Sequence, residues 1–178
     1  MIEMNKTKKI ALSAMLVALS VLYIWVMTTF NFKVDLGFWS FTPLSHVFLM
    51  LGALISPYVG VFATIGTAIA FISTGNIITV LRAASHIFFV LLLIVLQKKL
   101  PLSNIKNMAI VSVAVGAVHS LFEILAVYAA VWLSLADMPV IEYILISCGA
   151  GTFIHSNIDF FAAIGLRKAL VRAKVLEA

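Results

Sequence analysis

Charge and sulfur are scarce in this chain. Seven carboxylates and twelve lysines and arginines make up 11% of 178 residues, against 63% hydrophobic residues and a mean hydropathy of +1.17. A soluble domain carries about a quarter charged residues, so a soluble fold is excluded. The lone cysteine, Cys148, excludes an internal disulfide and a multi-cysteine metal centre. No glycine-rich P-loop is present, so ATP has no such cradle here. The Gly-x-Ser-x-Gly elbow of many hydrolases is missing as well. Prolines are few, and Pro43, Pro57, Pro101 and Pro139 all fall at the edges of predicted helices.

What is present is long apolar sequence. A crossing of roughly 30 Å of hydrocarbon takes about 20 mostly apolar residues, which gives about six short-looped spans and no separate soluble domain. The pattern places them at 10–30, 43–56, 58–74, 78–97, 107–134 and 142–166. The fold class expected is therefore an all-α membrane bundle, with residues 1–178 forming one integral-membrane domain. The segment from Met1 to Lys9 runs into the first span without a cleavage pattern and reads as a retained helix, not a leader. Ser56-Pro57 and the run Ser73-Thr74-Gly75-Asn76 read as turns.

The net charge of +5 and pI near 9.5 follow from topology and imply no nucleic-acid partner. With six spans, every lysine and arginine except Lys33 and Arg82 falls on the side of the termini. The positive-inside rule makes that side cytoplasmic. Tyr23, Trp25, Trp39, Tyr128, Trp132 and Tyr143 then fall near the opposite interface as an aromatic belt.

Within the apolar sequence stand three pairs of ionisable residues, each spaced by four: Arg82 and His86, His119 and Glu123, His155 and Asp159. That spacing puts both members of a pair on one helix face. Ionisable groups are costly in hydrocarbon and face a polar interior, a partner or a ligand. Three such faces on consecutive helices imply a small-molecule site that opens outward. Arg82 offers a planar fork for a carboxylate, or else a salt bridge to Glu123 or Asp159 that locks the bundle. His86 and His119 suit a heteroaromatic nitrogen or a carbonyl, or else hydrogen bonds between helices. Asn157 adds an amide at similar depth. Phe38, Trp39 and Phe41 in the outer connection suit either a lid that stacks on a planar ligand or anchoring at the membrane interface, with Ser45 and His46 at its rim. No metal is expected, because the four histidines, His46, His86, His119 and His155, sit on different helices without a His-Glu-x-x-His spacing. A stripe of Ala11, Ala14 and Ala18 on the first span, and one of Gly60, Ala63, Thr67 and Ala70 on the third, suit close helix packing or partner docking.

Taken with its basic N-terminus and Ala14-x-x-x-Ala18, this layout resembles the substrate-binding S components of energy-coupling factor (ECF) vitamin transporters. Ser40-Phe-Thr-Pro-Leu-Ser-His46, Ser56-Pro57 followed by Gly66-Thr67, and Leu81-Arg-Ala-Ala-Ser-His86 are most similar to the niacin-specific branch. The resemblance implies a chain that captures its vitamin from outside, catalyses no covalent reaction and carries no cofactor. It would dock through Ala14 and Ala18 on a transmembrane coupling subunit, with two ATPase subunits using the ATP. Arg82, His86, His119, Glu123, Asn157, His46, Phe38 and Trp39 are the residues expected to bind the vitamin. Pantothenate, also a carboxylate, suits an arginine equally well, whereas a nickel or cobalt branch is disfavoured because no histidine follows Met1. Two readings outside the family remain: a stand-alone proton-coupled carrier using Glu123 or Asp159, and an intramembrane hydrolase using Ser85-His86 or His119-Ser120. The first would commonly show paired repeats, and none is visible. The second needs nucleophile and base on one helix face, which neighbours in sequence do not share.

Overall fold

The structure is a computed structural model that describes residues 5–30, 32, 34–35, 40–74, 76–135, 141 and 143–176. Among these residues the chain forms six α-helices: α1 (Lys6–Thr29), α2 (Val47–Ile55), α3 (Pro57–Ala70), α4 (Ile77–Lys99), α5 (Ile105–Trp132) and α6 (Thr152–Arg172). A 3-10 turn, Phe71–Thr74, prolongs α3, and a π-helical stretch, Tyr143–Gly151, leads into α6. The connection after α1 holds a two-residue antiparallel ladder, β1 (Val34–Asp35) with β2 (Ser40–Phe41). β2 runs against the π-helical stretch, and the Tyr23 hydroxyl donates to the Pro43 carbonyl, tying the end of α1 to this connection.

Helices α1, α4 and α5 are long and apolar enough to cross a membrane. Of the six expected helices, the second and third are short. With nine and fourteen residues, they reach only about 14 and 21 Å at the α-helical rise. The cause at α2 is local. Residues 43–46 form a turn, with Leu44 in the left-handed region at φ 60°, so the helix begins at Val47 and not at Pro43. Ser56 is extended, and Pro57 takes the first position of α3, where its missing N–H is no loss. The two short helices then fold back on each other. A Cβ on Gly60 would lie 2.6 Å from Ala53 Cα, so only glycine permits this approach. A helix apolar all round belongs inside, and α2 packs against α1, α3, α4 and α6 with nearly every side chain buried.

Two apolar layers divide the bundle. The larger contains Leu49, Met50 and Leu54 of α2, Phe89, Val90 and Leu93 of α4, Val111 and Val115 of α5, and Phe160 and Ile164 of α6. A smaller layer joins Val127 of α5 to Ile144 and Cys148 of the π-helical stretch, with Ile78 of α4 against it. Along α4, α5 and α6 the ionisable residues fall between these layers, with Phe89 as the floor beneath three histidine rings. The third-span small-residue stripe packs internally: Gly60, Ala63 and Thr67 are buried. The first-span stripe does not, for α1 buries Ser13, Leu16 and Ser20 and leaves Ala11, Ala14 and Ala18 exposed.

Candidate functional site

The helical period delivers all three pairs to one buried nest. Glu123 of α5 is the hub of one half. Its Oε2 accepts hydrogen bonds from Arg82 Nη2 at 2.7 Å and from Thr152 Oγ1 at 2.6 Å. Its Oε1 faces His86 Nε2 at 3.3 Å and His119 Nε2 at 3.5 Å. Arg82 also donates from Nη1 to the Tyr143 hydroxyl at 2.9 Å. Of the two roles open to Arg82 in the sequence, the structure contains the salt bridge, and it is with Glu123 rather than Asp159. The arginine side chain stays 26% exposed and is the outermost member, whereas Glu123 is 3% exposed.

His46 is the hub of the other half. Its place beside the outer connection predicts a position at the rim. The turn that shortens α2 instead carries it inside, where it is 6% exposed. Asp159 Oδ2 accepts from the His46 backbone N–H at 3.0 Å and lies 3.1 Å from its Nδ1. His155 Nε2 also lies 3.1 Å from His46 Nδ1, and His155 Nδ1 lies 3.1 Å from the Gly151 carbonyl. The network assigns the tautomers. A carbonyl only accepts, so His155 Nδ1 carries a proton and its Nε2 is an acceptor. His46 Nδ1 therefore donates, toward both Asp159 and His155, and His46 Nε2 keeps the lone pair.

The two halves meet through the rings. His46 lies 4.6 Å from His86 and 4.5 Å from His119, centroid to centroid, and His86 lies 4.9 Å from His119, all edge to face. His119 is the least satisfied member. It is 1% exposed, and among the described residues neither ring nitrogen has a hydrogen-bond partner, the 3.5 Å approach to Glu123 being a looser charge contact. Asp159 Oδ1 and Arg82 Nε are likewise buried without partners among the described residues. With the histidines counted neutral, Glu123 and Asp159 against Arg82 leave the nest a formal charge of −1.

Asn157 does not join this nest. Its amide accepts from Ser112 Oγ at 2.5 Å and donates to the Phe153 carbonyl at 2.7 Å, holding α6 against α5. Phe38 and Trp39 lie outside the described residues, as does any lid they form. Two contributors escaped the sequence reading, Thr152 and the Tyr143 hydroxyl. Thr152 was findable, because 152, 155 and 159 share a face at helical spacing. Tyr143 was not, because it reaches Arg82 from a π-helical stretch, a distortion common at functional sites and without a sequence signature. A separate cavity of about 350 Å³, lined by Leu54, Gln97, Lys98, Leu102 and Arg167, lies at the other ends of α2, α4 and α6 and holds none of these groups.

No family model matches the chain, and no solved structure matches it at a significant level. A curated protein does: the niacin transporter NiaX of Lactococcus lactis subsp. cremoris (strain MG1363) is 30% identical over 182 aligned positions, covering 96% of this chain and 80% of that protein. With three helices long and apolar enough to cross a membrane, this chain is a multi-pass membrane protein and belongs to the same family as that transporter.

Proposed function

We propose that this protein is the substrate-capture S component of an ATP-driven ECF-type importer, and that its vitamin is niacin. The observation that carries the reading is the full-length relationship to a niacin transporter. The nest supports it. A pyridine carboxylate needs a cation for the carboxylate, polar atoms for the ring nitrogen and flat walls for its faces. Arg82, with its unpartnered Nε, stands outermost for the first role. The imidazoles of His46, His86 and His119 supply the second, and Phe89 is a wall. Glu123 holds Arg82 in place. Phe38 and Trp39 are assigned the lid.

The rest of the assembly follows from the same reading. Both termini face the cytoplasm by the charge asymmetry of the loops. Exposed Trp25 and Trp132, at the C-terminal ends of α1 and α5, sit at the outer interface. Ala14 and Ala18 dock on a transmembrane coupling subunit, which two ATPase subunits serve. Their exposure on α1 supports this role, since no helix among the described residues covers them. The chain itself performs no covalent chemistry.

The test is calorimetric titration of purified, ligand-stripped protein in detergent with nicotinic acid, nicotinamide and pantothenate. Tight one-to-one binding of nicotinic acid is expected. Binding of pantothenate alone would overturn niacin and keep the S-component reading. Failure to co-purify with ATPase subunits from native membranes would overturn the latter.

A further inference from the structure

By spacing alone no metal is expected, because the histidines are scattered over the chain. The fold removes that ground. His46, His86, His119 and Glu123 each offer one ligand atom, and these atoms all lie within 4.8 Å of one another with all four residues buried. We infer that these four residues form a site for one divalent metal ion of the zinc class.

Four observations converge on it. The first is spacing. Metal–nitrogen bonds of about 2.0–2.1 Å in a tetrahedron set neighbouring ligand atoms about 3.4 Å apart. His86 Nε2 and His119 Nε2 already stand 3.3 and 3.5 Å from Glu123 Oε1. The remaining pairs lie within 4.8 Å, so the imidazoles draw together as the ion binds. The second is the imidazole of His119, buried to 1% exposure with neither nitrogen hydrogen-bonded among the described residues. A buried polar group without a partner calls for one, and a metal accepts the lone pair that nothing else here takes.

The third is the outer ring of contacts. Metal-binding histidines commonly donate their second N–H to a carboxylate, which fixes the tautomer and makes the ligand nitrogen more basic. His46 Nδ1 faces Asp159 Oδ2 in this way, leaving Nε2 as the lone-pair nitrogen. The far oxygen of Glu123 is likewise held, by Arg82 and Thr152. The fourth is charge. The nest is formally −1, and the apolar layers on either side give that charge little solvent. A divalent cation brings it to +1.

Donor type selects the metal. Three imidazoles and one carboxylate suit zinc-class ions, whereas magnesium and calcium require oxygen ligands. A second group, His46, His155 and Asp159, also brings its ligand atoms within 4.8 Å. Both of its histidines and its carboxylate are already hydrogen-bonded to one another, whereas the first group holds His119 without such a partner among the described residues, so the second group is the support and not the site. One consequence rests on the niacin reading: an anionic pyridine carboxylate enters a nest of +1 more readily than one of −1, and with the imidazole lone pairs on the metal its ring nitrogen faces the ion instead of a histidine.

The experiment uses the full chain in detergent, with any polyhistidine tag removed and adventitious metal stripped by EDTA. Titration with Co2+ is followed by visible absorption, since four- or five-coordinate cobalt absorbs far more strongly than the hydrated ion. One equivalent is expected to bind, to be displaced by Zn2+ and to be unaffected by Mg2+. His119→Gln and His86→Gln are each expected to weaken binding at least tenfold, while Lys98→Ala, on an exposed residue at the other end of α4, leaves it unchanged. Loss of binding in the two histidine variants alone supports the site. Absence of a stoichiometric band in the unmodified chain overturns it, as does a band undiminished in both variants. Should the variants not fold, the unmodified chain carries a second readout: Zn2+ must raise its thermal midpoint where Mg2+ does not, and no rise overturns the site. Nicotinic acid titrated in the presence of EDTA separates the two readings. Vitamin binding without any cobalt binding removes the metal and keeps the vitamin, and cobalt binding without vitamin does the reverse.

Discussion

Arg82 and Glu123, forty-one positions apart in the chain, form a 2.7 Å ion pair that joins α4 to α5. The same carboxylate faces two histidines and accepts from Thr152, so the cation and the anion are not equivalent. Arg82 has one charged partner and partial access to solvent. Glu123 has many partners and almost none.

This asymmetry predicts the effect of Arg82→Ala. The variant leaves a buried carboxylate facing imidazoles with no fixed cation, and removing one member of a buried pair is strongly destabilising. Because Arg82 is a quarter exposed, part of the loss is recovered by water, and about 1–3 kcal/mol of destabilisation is expected. Nicotinic acid binding is expected to disappear. Thermal unfolding in detergent and calorimetry check both. Normal affinity in a folded Arg82→Ala protein would make the arginine structural only.

Thr152→Val and Tyr143→Phe probe the two contacts that orient the pair. Thr152 donates to the buried charge, and hydrogen bonds to charged groups contribute about 1.5–3 kcal/mol. Its loss is expected to lower the thermal midpoint more than that of the Tyr143 hydroxyl, which supports the partly exposed end of Arg82. Tyr143→Phe is expected instead to weaken vitamin binding severalfold with little change in stability. The reverse ranking would mean that the ligand-orienting end is at Thr152.

How much of this was legible follows from what sets each feature. The pairs at 82 and 86, 119 and 123, and 155 and 159 were readable because the α-helical period fixes a shared face without tertiary information. Helices α4 and α5 end within about two residues of the expected 78–97 and 107–134, since long apolar runs bounded by turn residues define themselves. The partner of Arg82 was open, because Glu123 and Asp159 both lie at reachable depth and only the packing of α4 against α5 chooses. His46 was misplaced because a left-handed Leu44, which sequence rules do not anticipate for leucine, turns the chain inward. The convergence of His46, His86, His119 and Glu123 was hidden for a related reason: spacing pairs only His119 with Glu123 on α5, and the packing of α4 and of the turn before α2 brings in the other two.

Three glycines separate backbone crowding from helix propensity. Gly60→Ala sets a Cβ 2.6 Å from Ala53 Cα, where backbone must move, and about 1–3 kcal/mol of destabilisation is expected. Gly66→Ala meets Val17 Cγ2 at the same 2.6 Å, but a side-chain methyl can rotate away, so a smaller loss is expected. Gly165→Ala meets nothing within 4 Å on an exposed face of α6 and is expected to stabilise by about 0.5–1 kcal/mol. Thermal midpoints in one detergent give the order. A Gly60→Ala protein as stable as the parent would mean that α2 and α3 do not cross this closely.

The exposed face of α1 yields the prediction that separates folding from assembly. Ala14 and Ala18 contribute little to the internal core, for α1 turns Leu16 and Ser20 inward instead. A bulky residue there disturbs nothing inside the chain, but it prevents the close helix approach that small residues allow in lipid. Ala14→Trp and Ala18→Trp are therefore expected to leave the thermal midpoint within about 0.5 kcal/mol of the parent, as for surface substitutions generally, and to leave nicotinic acid binding intact. Co-purification with the coupling and ATPase subunits, and uptake of labelled nicotinic acid by cells, are expected to fall at least tenfold. Undiminished assembly with tryptophan at both positions would move the docking face off this stripe, since no coupling subunit can pack tightly over two indole rings placed one helical turn apart.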